Sequence, residues 1–259
     1  MNRLMRTAPR TAIVMAAGMG TRLRSVMSDQ PKGFIQIGNE TLIARCLRLV
    51  AEVGVERVVI VAGYRSHAYF ELSRSSPGVE VIENVDFETT GSMASLACAL
   101  EIVKEDFLLF ESDLFYEERA VRAVCDRPEA DVLLASDETG ATDEVWIQAD
   151  QRNCLVNMSK QSKDLDHVSG ELVGIVKISA STGRAMLDAY RRFVATHGHG
   201  QMGYETEALV EVARETPIYV ERVDGLIWGE VDYEQHYLRV RDEVFPAWVN
   251  QKKSGGERA

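Results

Sequence analysis

Gly18, Gly20, Thr21 and Arg22 stand at the end of an apolar run, and Lys32 follows a proline, within the stretch TAIVMAAGMGTRLRSVMSDQPKGF. Glycines at the carboxyl end of a strand let backbone N–H groups approach an anion, and a following helical turn adds partial positive charge. Two cations in one short region make phosphate the natural ligand, although a plain strand-to-helix turn would use the same glycines. Two familiar phosphate loops are excluded by spacing. A dinucleotide fingerprint needs a third glycine where Leu23 stands, and a P-loop lysine directly follows its glycine, whereas Lys32 comes after Pro31. Transfer chemistry on phosphate depends on positioning and charge neutralisation, and Mg²⁺ does this with one or two carboxylates. Asp113 in LLFESDLFYE and Asp232 in WGEVDYEQHY each end an apolar strand, where a helix cap or a solvated turn is the plainer role.

These residues need a scaffold. Residues 12–17 read as a buried strand, and ETLIARCLRLVAEVGV as a helix with Leu42, Ile43, Cys46, Leu49, Val50 and Val53 on one face, stopped by Gly54. ERVVIVAGY, VEVIENV, DFLLFESDLFY and ADVLLAS read as further strands, with helices at HAYFELSR and GSMASLACALEIV between them. That alternation predicts an α/β fold on a parallel sheet, and it places the glycine turn at the strand ends where such sheets bind ligands. From residue 141 the texture changes. DEVWIQAD, CLVNMSK and GELVGIVKIS read as strands, STGRAMLDAYRRFVAT and GYETEALVEVARE as helices, then IYVERVDG and LIWGEVD as strands and EQHYLRVRDEVF as a last helix. One domain over 11–248 is expected, in two halves, 11–140 and 141–248, with flexible tails at 1–10 and 249–259.

Composition narrows the partners. A net charge of -11 argues against a nucleic-acid binder, so a phosphate ligand must meet a few local cations or a metal. Cys46, Cys98, Cys125 and Cys154 have no paired spacing, which suits reduced thiols and carries no zinc signal. No apolar run reaches the roughly 20 residues that cross a bilayer, and MNRLMRTAPR lacks the apolar segment of a secretory signal. A cytoplasmic protein without membrane insertion is expected. His197 and His199 in THGHG read as loop decoration, MSDQ before Pro31 as a flexible segment, and Phe110 and Phe115 as packing.

G-x-G-T-R-L followed by P-K resembles the signature of the sugar-nucleotidyltransferase superfamily, whose members join a nucleoside triphosphate to a phosphorylated small molecule. The resemblance runs from about Ile13 to Val244 and is strongest to the small bacterial 2-aminoethylphosphonate and phosphocholine cytidylyltransferases, through ENVDFETTGSMASLACAL, TDEVW, MSK and YVERVDGLIWGEVDYEQHY. It implies a Rossmann-like three-layer α/β/α nucleotidyltransferase fold, with a mixed, mostly parallel central sheet and a small elaborated acceptor-binding second half. It also implies that Ala16, Ala17, Gly18, Gly20, Thr21 and Arg22 wrap the triphosphate, with Arg22 on the departing pyrophosphate. Lys32 would stabilise charge on the α-phosphate and the incoming phosphate. Asp113 and Asp232 would hold Mg²⁺, flanked by Glu111 and Glu230. Thr90, Gly91, Ser92, Met93 and Ser95 would read the base and shape its pocket.

On the acceptor side the resemblance implies Lys160 at the phosphate or phosphonate, although a solvated hairpin lysine is as ready a reading, together with Glu144 and Tyr204. The aromatic cage of the phosphocholine enzymes would need a tryptophan where Val145 stands, while Trp146 falls on the opposite strand face. Glu205 and Glu207 follow Tyr204 instead, and carboxylates suit a primary ammonium that donates hydrogen bonds. The expected reaction is transfer of CMP from CTP to 2-aminoethylphosphonate with release of pyrophosphate. Phosphocholine as acceptor, a sugar 1-phosphate with UTP or dTTP, and a nucleotide-binding regulatory protein are the alternatives, and a homodimer is left open.

Overall fold

An unbroken apolar run buries Thr11–Ala16 (β1) on both faces, which puts it inside a sheet with a parallel neighbour on each side. The computed structural model describes residues 8–23, 29–198 and 200–256. After β1 come 3₁₀ turns at Thr21–Leu23 and Lys32–Phe34, then the short strands Gln36–Ile37 (β2) and Glu40–Thr41 (β3). Leu42–Glu52 (α1) starts at Thr41, whose hydroxyl accepts the Ala44 N–H at 3.2 Å. Arg57–Ala62 (β4), Ser66–Arg74 (α2), Val79–Glu83 (β5), Ser92–Leu100 (α3) and Phe107–Glu111 (β6) continue the alternation. The second half adds Leu114–Tyr116 (β7), Glu118–Cys125 (α4), Val132–Ser136 (β8), Trp146–Ala149 (β9), Leu155–Ser159 (β10) and Gly170–Ile178 (β11). Ala180–His197 (α5), Glu205–Ala213 (α6), Tyr219–Val223 (β12), Trp228–Glu230 (β13), Glu234–Arg239 (α7), a π-helical turn at Val240–Val244 and Phe245–Gly256 (α8) follow.

The main sheet has nine strands in the order β10-β9-β11-β6-β1-β4-β5, with β8 joined to β11 and β12 joined to β8. β11 runs antiparallel to β6, β8 and β9, so the sheet is mixed, as expected, although β8 meets the parallel set only through β11. Alternate residues of each strand serve opposite cores. Ala12, Val14 and Ala16 of β1 pack toward α1 and α4, while Ile13 packs toward α3, α5 and α6. Helices on both faces make the three layers. A third, smaller core gathers Leu23, Ile35, Phe115, Val231, Val240 and Val244.

Two sequence expectations change. α4 is a short helix that the strand reading of this region passed over, and its Ala120, Val121, Val124 and Cys125 are buried. Helix α8 runs to Gly256 where a tail was expected from residue 249, because Trp248 is anchored over Arg45 and bonded to Glu118. Residues 1–7, the Met27–Ser28 part of MSDQ, and His199 lie outside the described residues. His197 ends α5, stacked on Phe193 with ring centroids 4.1 Å apart. All four cysteines are free thiols. No helix among the described residues is long and apolar enough to cross a membrane.

Candidate active site

Three strand ends converge on one cleft. β1 ends at the glycine turn, where Gly20 takes φ +58° and its carbonyl accepts the Leu23 N–H at 3.0 Å. β6 runs beside it, and past its end the Ser112 N–H donates to Met15 O at 3.0 Å. β13 pairs antiparallel with β7, and the Val231 N–H donates to Asp113 O at 3.0 Å. That small ribbon is what sets Asp232 beside Asp113 across a long stretch of sequence.

Lys32 reaches the same point from the other side. Its 3₁₀ turn is entered through Pro31, which holds extended backbone. Gly33 then passes so near the Tyr69 hydroxyl that a Cβ there would stand 2.7 Å from it. Only a residue without a side chain lets the lysine in this close. Lys32 Nζ donates to Asp113 Oδ2 at 3.0 Å and also pairs with Asp232. Burial alone would push the ammonium pKa down, but Asp113 and Asp232 outweigh it and hold it above the usual lysine value.

The acids around Lys32 split in behaviour. Burial pushes Glu230 and Glu111 well above the ordinary carboxylate range, and the neighbouring acids push further. Asp113 is also raised by burial, against the pull of Lys32. Burial acts upward on Asp232 too, but a bond from Glu230 and the Lys32 charge leave it below its usual value. Glu230 therefore holds a proton more tightly than Asp232 does. Such an arrangement has oxygen ligands to offer a hard cation. Glu111, Asp113 and Glu230 each bring an oxygen within 4.8 Å of the others, and Asp143, Glu230 and Asp232 do the same. The donor set therefore fits a divalent metal, with Glu230 common to both groups.

The cleft has a volume of about 310 Å³. Of the residues expected at the nucleotide, Ala17, Gly18, Arg22, Thr90, Gly91, Ser92 and Ser95 line it, as do Lys32, Asp113 and Asp232. Ala16, Gly20 and Thr21 do not: Ala16 is buried in β1, and the other two shape the turn. Met93 is fully buried beneath it. On the acceptor side Glu144, Lys160, Tyr204 and Glu205 line the cleft. Glu207 faces a separate groove with Asn157, Met158 and Arg214, because residues two apart on a helix point to opposite sides. Val145 lines the cleft and Trp146 does not, as strand alternation requires. Lys160 Nζ lies 4.7 Å from the Tyr204 ring centre and 3.4 Å from its hydroxyl, joining the two lips.

Sequence reasoning missed several contributors. Phe87, Asp143 and Glu171 also line the cleft; the first two lie inside the quoted stretches ENVDFETTGSM and TDEVW and the third in the strand GELVGIVKIS, but none was singled out. Buried His236 accepts the Asp232 N–H at Nδ1 (3.4 Å), so Nε2 carries the proton and donates to Ala141 O at 2.8 Å. Its placement one helical turn after Asp232 was the available signal. Asn84, 5% exposed, donates to Thr90 Oγ1 at 3.1 Å and Ser95 Oγ at 2.9 Å, fixing two lining residues from behind.

Comparison with known proteins agrees with this geometry. Residues 12–203 match the family described as the MobA-like NTP transferase domain. The chain is 30% identical over 165 residues to a CMP-5'-(3-aminopropyl)phosphonate synthase of Streptomyces rubellomurinus, covering 61% of this chain and 26% of that one. It is 25% identical over 199 residues to a 2-aminoethylphosphonate cytidylyltransferase of Lancefieldella rimae, covering 75% of this chain and 77% of that one. The chain thus spans about a quarter of the first relative and three quarters of the second. Among solved structures, a CTP:phosphocholine cytidylyltransferase from Streptococcus pneumoniae superposes with a TM-score of 0.76 at 20% identity, over 90% of this chain and 99% of that one. An inositol-1-phosphate CTP transferase from T. maritima gives 0.74 at 20% identity, over 93% and 96%. These two likenesses establish the nucleotidyltransferase α/β fold.

Proposed function

We infer from the site, and from the fact that the chain belongs to the MobA-like NTP transferase family, that it is a cytidylyltransferase acting on a small phosphonate or phosphomonoester, with 2-aminoethylphosphonate as the favoured acceptor. In this reading an acceptor oxygen attacks the α-phosphorus of CTP, the bond to the bridging oxygen breaks, and pyrophosphate leaves. Lys32 sits where both reacting anions must meet, and Arg22 faces the outgoing pyrophosphate. Asp113 and Asp232, with Glu230 between their groups, would hold Mg²⁺, which supplies positive charge to the phosphates when bound. The backbone at Ala17 and Gly18 faces the triphosphate, and Thr90, Gly91, Ser92 and Ser95 face the base.

The observation that carries the acceptor is that a cation, Lys160, and a buried carboxylate, Glu205, both line the acceptor side of the cleft. Lys160 stands on one lip, and Glu205, only 7% exposed, stands behind Tyr204 on the other. An aminoalkyl phosphonate has an anion and a hydrogen-bonding cation at matching ends. Val145 in the cleft removes one aromatic wall of a trimethylammonium cage and leaves Tyr204 and Phe87, which disfavours phosphocholine. The two relatives named for aminoalkyl phosphonates support the same choice. A pyrophosphate-release assay over CTP, UTP and dTTP against 2-aminoethylphosphonate, phosphocholine and a hexose 1-phosphate tests it. CTP with 2-aminoethylphosphonate should give the highest kcat/KM. A preference for phosphocholine would overturn the acceptor, and a preference for UTP or dTTP with the sugar would overturn the class.

A further inference from the structure

The residues facing the base and those facing the acceptor amine are bonded to each other directly. The Gly91 N–H donates to Gly200 O at 3.4 Å and the Ser92 N–H to Gly203 O at 3.3 Å. Gln201 Nε2 donates to Thr89 O at 3.1 Å. The Ser92 hydroxyl donates to the Glu205 carboxylate. The fit is tight as well as bonded, since a Cβ on Gly91 would overlap the Met202 carbonyl. Residues 89–92 therefore form a short seam with residues 200–205. On one side of the seam Thr90, Gly91 and Ser92 line the cleft, and on the other Tyr204 and Glu205 do. The nucleotide side is itself held from the sheet by Asn84, through Thr90 Oγ1 and Ser95 Oγ.

We propose that this seam couples the two substrates energetically, with Ser92 as the positioning residue that aims Glu205 at the acceptor's ammonium once nucleotide is in place. This rests on the cytidylyltransferase reading above. A long carboxylate side chain has several rotamers, and the one that reaches the cleft must be chosen. The Ser92 hydroxyl donates one hydrogen bond and takes one of the two Glu205 oxygens, leaving the other for a cation. A base seated against residues 90–92 orders the seam, so the acceptor meets a carboxylate already placed. By linkage the acceptor must then tighten the nucleotide by the same factor.

Binding of 2-aminoethylphosphonate is measured by calorimetry with and without a non-hydrolysable CTP analogue and Mg²⁺, and the analogue is titrated with and without acceptor. The ratio of affinities, not either affinity, is the readout. In the unaltered chain each ligand should tighten the other by roughly tenfold or more, equally in both directions. Ser92→Ala should bring the ratio to within about twofold of unity. Glu205→Gln gives its one oxygen to the Ser92 hydroxyl and turns an N–H group toward the cation, so it should weaken the acceptor and lower the ratio as well. If both ligands bind and turn over but independently in the unaltered chain, or if Ser92→Ala keeps the full ratio, the coupling is wrong and the assigned function stands. If CTP and the acceptor neither bind nor react, both are wrong.

Discussion

At the scale of single residues, Lys32 and Glu171 make opposite predictions. Lys32 bonds two carboxylates at once, and on the proposed reading its charge is wanted most when the α-phosphorus is crowded by attacking and leaving oxygens. Lys32→Ala should therefore lower kcat by ~100-fold or more while the apparent KM for CTP moves much less. A loss confined to KM would remove the transition-state role. Glu171 is a matter of protons. Burial pushes its carboxyl up to about 7, although the Thr139 N–H (2.6 Å) and hydroxyl (2.8 Å) pull the other way. Its folded pKa is above the unfolded one, so the folded chain binds the proton more readily between the two values. The stability it contributes is present below the usual glutamate range and is lost as pH rises through about 7. Glu171→Gln can still accept from the Thr139 N–H and donate to its hydroxyl. Relative to the unaltered chain it should gain roughly 1–3 kcal/mol on going from pH 5 to pH 8, read as a pH-dependent difference in Tm. A difference that is flat with pH would show that Glu171 is ionised throughout.

At the scale of elements, the two aspartates beside Lys32 depend on a ribbon of only three residue pairs, and a helix outside the main sheet steadies it. Arg45, 1% exposed, bonds Tyr116 O in β7 at 2.9 Å and lies 4.2 Å from the Phe115 ring centre and 4.3 Å from that of Trp248 in α8. Trp248→Ala removes one face of that sandwich and the 3.2 Å bond to Glu118. It should cost about 1–3 kcal/mol and lower Tm by several degrees, with turnover at 25 °C falling less than for Lys32→Ala. An unchanged Tm would mean that α8 is not part of the support. Nothing in the sequence around residue 249 announced this helix, because its hold on the fold is one aromatic meeting a distant arginine. The strands and helices with strong periodicity, such as β1, α1 and β11, were legible. So was the glycine turn, since its spacing alone excluded two rival loops. Glu205 and Glu207 looked equivalent in sequence, and only the start of α6 decides that one faces the cleft. His236 could have been found from its place one turn after Asp232, whereas the parts Asp143 and Asn84 play were hidden inside the quoted motifs, because each acts through a contact that local pattern does not encode.

At the scale of the whole molecule, the governing quantity is charge. The chain carries a net -11, and the cleft is lined by eight carboxylates against three cations. A nucleoside triphosphate brings several more negative charges into the same space. Exposed charges are screened beyond about 10 Å at ordinary ionic strength, but those facing each other across this cleft are not. Protonation relieves part of the conflict, as the raised Glu111 and Glu230 indicate, yet Asp232 stays ionised beside Lys32. Divalent cations should then act on the chain before any chemistry occurs. Mg²⁺ or Mn²⁺ alone should raise Tm, and chelation should weaken binding of a CTP analogue by ~10-fold or more. Asp113→Asn and Asp232→Asn should each lose most of the metal-dependent part of that binding while remaining folded by circular dichroism. They should also lower turnover by orders of magnitude, since the amide keeps the shape of the site but brings no charge to it. Nucleotide affinity that is indifferent to chelator, with near-normal turnover in both variants, would mean that Arg22 and Lys32 neutralise the triphosphate unaided and that these aspartates serve only to hold the lysine.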